Sequence, residues 1–131
     1  MPSSRFLFLN VGHSIDHLFM LMFPAVAALA AADLSASYGE VLKLATGSFI
    51  AFGVFSLPMG WLADRLSREF MMTVFFLGIG VAMILTGFSN EEWQIFVSLI
   101  LVGMFAAIYH PVGLAMVSQG GGDVGRRLGV N

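Results

Sequence analysis

Four apolar runs decide what this chain can fold into. They cover about Phe6 to Ala32, Val41 to Ala63, Phe70 to Phe88 and Trp93 to Ser118. Each is near or above the roughly 20 residues an α-helix needs to cross a bilayer core of about 30 Å. The first run carries Asp16 and the second Lys43 near its start, while the other two hold no Asp, Glu, Lys or Arg. The direct reading is an all-α membrane protein of four transmembrane helices. Composition agrees: the 131 residues are 58% apolar and 11% charged with a mean hydropathy of +0.89, against about a quarter charged in an ordinary soluble domain.

The connections are short, Asp33 to Glu40, Asp64 to Glu69 and Ser89 to Glu92, which makes successive helices antiparallel neighbours in an up-down bundle. Ser37 with Glu40, and Ser89 with Glu92, have the capping-box spacing and predict the starts of the second and fourth spans. Residues 1–131 form a single membrane domain, and the triglycine at 120–122 marks where the fourth helix ends.

Charge location sets orientation. Arg5, Arg65, Arg68, Arg126 and Arg127 fall on one side of a four-span topology and Lys43 on the other. Basic residues near span ends stay on the cytoplasmic side, so both termini are expected there. A cleaved signal peptide competes for the first run, with Ala28, Ala30 and Ala32 near a cut, but Asn10, His13, Asp16 and His17 interrupt its apolar region. A net charge of −2 gives no basic field for nucleic acid. With no cysteine there is no disulfide framework or thiolate metal site.

Between the second and third runs lies GWLADRLSRE, residues 60–69, with four charges in its last six positions. Gly60 permits close approach of a neighbouring helix, and Ser56 four residues earlier completes a small-xxx-small face. Pro58 bends or loosens that turn, and Asp64 can cap or meet a helix amino terminus. In identity and spacing Gly60, Leu62, Ala63, Asp64, Arg65 and Arg68 resemble the loop signature of the major facilitator superfamily, at its expected joint between spans two and three. Ser67 stands where that family usually has glycine, and Glu69 where it has a second basic residue. HSIDHLFMLMFP at 13–24, with Pro24, resembles the first helix of the fosmidomycin-resistance-like branch of small-molecule exporters. IYHPVGLAMVS at 108–118, with Pro111, resembles its fourth helix, and GRRLGVN at 125–131 the cytoplasmic lead into a fifth.

The resemblance implies a proton-coupled carrier of twelve spans in two halves with cargo at the midplane, of which this chain supplies about a third. Asp64 and Arg65 would then latch onto a helix of the other half. It also implies a bacterial cytoplasmic membrane. A truncated or partial carrier, unable to transport alone, is one functional class; a four-span accessory subunit packed in a larger energy-transducing or photosynthetic complex is the other. Membrane lipid and further transmembrane helices, from the missing half, a homo-oligomer or a complex, are the partners expected.

His13, Asp16 and His17 share one face of the first helix. A carboxyl group inside an apolar span is costly and marks a function with a partner to be named. His110 is that partner: Asp16 lies eight residues past Phe8 and His110 eight before Ser118, both about 12 Å deep at 1.5 Å per residue. An Asp–His set of this kind suits proton coupling or substrate contact; it equally suits a polar contact joining helix one to helix four. Two imidazoles and a carboxylate, with Met20 and Met22 nearby, could ligate a divalent metal, but no second ligand cluster appears apart from His110 and no metal is expected. A tetrapyrrole could use His110 as axial ligand beside Gly103, Ala106, Ala107 and Gly113; no cofactor motif supports it and no cofactor is expected. Gly78 with Ala82 and Gly103 with Ala107 suit close helix packing. There is no nucleophile elbow, phosphate loop or paired carboxylate, so an enzyme is not expected.

Overall fold

The computed structural model describes residues 4–131. Among these, seven helices form four units long and apolar enough to cross a membrane. The first is α1, Ser4–Asp33, whose 30 residues reach about 45 Å. The second joins α2, Tyr38–Leu44, to α3, Thr46–Ala63, through Ala45. The third is α4, Arg68–Gly87. The fourth joins α5, Glu92–Ala106, to α6, Tyr109–Ser118. A short α7, Val124–Val130, follows.

The turns explain the bounds. Helix α1 ends in a Schellman motif: Ala36 N–H reaches Ala31 O and Ser35 N–H reaches Ala32 O, with Ser35 held at φ 54° where glycine is usual. Ser37 then caps α2 through the box its sequence spacing predicts, its side chain accepting from Glu40 N–H while Glu40 accepts from Ser37 N–H. The other expected box does not form. Ser89 donates its hydroxyl back to Leu85 O at the end of α4, and Gln94 Oε1 instead accepts from Asn90 and Glu91 N–H at the start of α5. Ser67, the residue that departs from the loop signature, is the N-cap of α4 and accepts from Phe70 N–H. Asp64 is not an N-cap: it closes the end of α3, its own N–H donating to Gly60 O.

Packing corrects the expectation that every successive pair are neighbours. Helices α3 and α4 scarcely touch one another; each packs on α5. The fourth span is therefore the hub, with 56% of its most apolar window buried against 28% for each of the others. In lipid, apolar surface alone does not hold helices together, so close fit and polar contacts must. A Cβ on Gly103 would overlap the main-chain oxygen of Ser48, and one on Gly47 would meet the Phe96 ring at 2.8 Å. Two glycines thus bring α3 and α5 together, backbone against backbone at Gly103 and backbone against ring at Gly47. A Cβ on Gly78 would overlap the Phe105 ring, which fills that space against α4. Thr86 Oγ1 donates to Ser98 Oγ at 3.0 Å across α4 and α5.

The fourth span breaks at Ala107 and Ile108. Pro111 explains it: a proline ring clashes with the carbonyl four residues back, here Ala107, and offers it no N–H. Ile108 N–H turns to Phe105 O instead. Pro24 and Pro58 lie inside α1 and α3, which run through them.

A histidine and aspartate site between the first and fourth spans

The break in the fourth span turns Tyr109 and His110 toward α1. Asp16, only 1% exposed, places Oδ2 3.3 Å from His110 Nε2. The equal-depth reckoning thus corresponds to a contact between spans. Asp16 Oδ1 is buried and has no hydrogen-bond partner among the described residues.

Two more histidines complete the group. His13 and His17, one turn apart on α1, bring their Nε2 atoms to 2.9 Å. His13 Nδ1 contacts the main-chain oxygen of Asn131. That oxygen can only accept, so Nδ1 carries the proton and Nε2 is left as acceptor for the N–H of His17. The His110 ring stands edge-on to His13 and His17 at 5.3 and 5.7 Å between centroids, with Phe52 of α3 edge-on at 5.3 Å. His17 is exposed, and the His110 side chain is 32% exposed.

The sequence reading passed over Tyr109, Asn10 and Asn131. Tyr109 is fully buried; its hydroxyl donates to Leu9 O at 2.7 Å and its ring stacks on His13 at 5.0 Å, 11° from parallel. It also fills the space beside Gly12 and Gly113. The room beside His110 that a tetrapyrrole would need at Gly103 and Gly113 is thus taken by the Ser48 backbone and the Tyr109 ring. Asn131 donates from Nδ2 to Asn10 Oδ1 at 3.2 Å and to the Tyr109 hydroxyl at 3.1 Å. The signal for Tyr109 was its place beside His110; Asn131 had none, because only the return of α7 along α6 carries it to α1.

The arginines gather at the nearby end. Arg5 pairs with Glu69 at 3.2 Å, Arg68 donates to Gln119 Oε1, and Arg127 donates to Val117 O in the last turn of α6 and to Gly120 O just beyond it while lying 4.6 Å from the Phe6 ring centroid. Arg65 stacks on Trp61 at 3.6 Å. The Asp64 carboxylate has no ion pair among the described residues. Gly60 faces Pro111, 3.3 Å from where its Cβ would be, so this glycine lets α3 approach α6 just beside His110.

A sequence model of the Major Facilitator Superfamily matches residues 10–130. The chain belongs to that superfamily. A puromycin resistance protein of Streptomyces alboniger is 33% identical over 101 residues, which is 75% of this chain and 20% of the relative. The chain thus spans about a fifth of the length of that curated relative. No solved structure matches. Four apolar helices and the superfamily match make it an integral membrane protein of transporter rather than enzyme kinship. In this facilitator chain the Gly60–Arg68 signature links α3 to α4, and the histidine site lies between α1 and α6, with Phe52 of α3 against His110 and Phe75 of α4 against Tyr109.

Proposed function

We propose that this chain forms the first four spans of a facilitator-type carrier of small organic molecules, of the exporter kind that its relative's name and the fosmidomycin-resistance-like motifs suggest. The observation that carries the reading is Asp16, a carboxylate inside a membrane span and 1% exposed, set against His110 of another span. Burying such a group costs several kcal/mol unless it is used or fully paired, and here one of its oxygens is unpaired. Asp16 and the three histidines hold cargo or its coupling cation. The arginine end faces the cytoplasm of a bacterial inner membrane, by the positive-inside rule. Asp64, Arg65 and the uncovered apolar faces, such as Leu57 at 84% and Leu77 at 67% exposed, meet further helices and lipid. A single three- or four-helix unit has no second half to rock against, so the 131 residues alone move nothing.

The test is to express the 131-residue chain and, in parallel, a reading frame extended by the remaining spans, in cells lacking their own exporters, and to measure efflux of an amphiphilic cation such as puromycin. The extended chain should export and the short chain should not. Export by the short chain alone would overturn the reading. Its isolation from native membranes in a stable large complex, with no export by any extended chain, would replace it with an accessory-subunit role.

A further inference from the structure

We infer that His13, His17 and His110 form a binding site for a divalent transition cation of the zinc class. Each of the three offers one ring nitrogen, and these atoms lie within 4.8 Å of one another. A tetrahedral ion with Zn–N bonds of about 2.0–2.1 Å needs its nitrogens about 3.3 Å apart. The His13 and His17 Nε2 atoms are at 2.9 Å and no pair is wider than 4.8 Å, so side-chain adjustments of up to about 1.5 Å seat the ion. The i, i+4 spacing of His13 and His17 is that by which one helix turn presents two imidazoles to a zinc ion.

The surroundings of the rings carry the argument further. A metal-bound histidine has its second nitrogen oriented by a carboxylate or main-chain oxygen, which fixes the tautomer. Two of the three have that partner. His13 Nδ1 meets the main-chain oxygen of Asn131, which aims Nε2 at the shared space; His110 Nε2 lies 3.3 Å from Asp16 Oδ2, which leaves Nδ1 for the ion. Asp16 thereby explains its own burial as the positioning group for His110 and as the negative charge that offsets a dication in an apolar setting. Imidazole donors select zinc, copper and nickel over magnesium and calcium. The exposure of His17 leaves the site an entry path. The sequence alone argued against metal for want of a second ligand cluster; the break at Ala107 supplies the third ring from another span.

The site is independent of whether the chain transports. The test is a Co2+ titration of the tag-free, chelator-stripped 131-residue chain in detergent, its helicity checked by circular dichroism. One Co2+ per chain should give the intense visible d–d bands of tetrahedral coordination, and one Zn2+ should bleach them. His17→Ala, which removes an exposed ring and leaves core packing intact, should abolish the bands, as should His110→Ala. Asp16→Asn should weaken binding about 10- to 100-fold. Absence of tetrahedral bands from the folded chain, or their persistence in both histidine variants, would overturn the inference. Either result leaves the export assay untouched, so the two readings fail separately.

Discussion

The two halves of the fourth span meet their neighbours by opposite means. Helix α5 touches α3 and α4 through glycine, aromatic rings and one hydroxyl pair, with Gly103 against the Ser48 backbone and Phe105 over Gly78. Helix α6 touches α1 through Asp16, three histidines and Tyr109, and Asn131 beyond α7 closes onto Asn10 and the Tyr109 hydroxyl beside them. The join between them is the Pro111-imposed break at Ala107. In a bilayer the first kind of contact yields stability from fit, since lipid matches any apolar surface and only closeness distinguishes protein from tail. The second kind places ionisable groups where solvation is poor, which stability does not require. One half of the span is scaffold and the other is site.

Substitutions can break or sharpen that contrast. Gly103→Leu drives a side chain into the Ser48 backbone, which cannot give way as a flexible side chain can. A loss of about 3 kcal/mol or more is expected, read as denaturant unfolding in mixed micelles; wild-type stability would show that α3 and α5 are not locked. Tyr109→Phe removes a buried hydroxyl that donates to Leu9 O and should cost about 1 kcal/mol while leaving the ring stacked on His13. A cost as large as that of Gly103→Leu would make the α6 half structural too. Ser35→Gly, far from both, relieves a left-handed backbone and should stabilise by about 1 kcal/mol; it calibrates how well the micelle assay resolves small effects.

The contrast was partly legible in the sequence. Four spans followed from hydropathy, because 20-residue apolar runs admit few other solutions. The Asp16–His110 contact followed from equal depth, since short connections fix helix ends and a helix advances by a constant rise. The Ser37 cap was legible from local spacing, and the Ser89 cap was not, because the Ser89 hydroxyl turns back to Leu85 O and Gln94 takes the Asn90 and Glu91 amides one and two residues on. That α3 and α4 avoid one another was invisible: short loops fix sequence order and direction, whereas lateral partners depend on which faces carry glycine. Tyr109 and Asn131 escaped for a related reason. Their roles depend on a helix break and a returning chain, both set by tertiary geometry.

Whether Asp16 serves function or folding is decided by Asp16→Asn in the extended carrier, with export and folded amount measured on the same membranes. Asparagine keeps the shape and removes the charge. Export should fall to background while the folded amount stays at the wild-type level. Full export with a diminished folded amount would make the site a structural contact and contradict the division of the fourth span into scaffold and site.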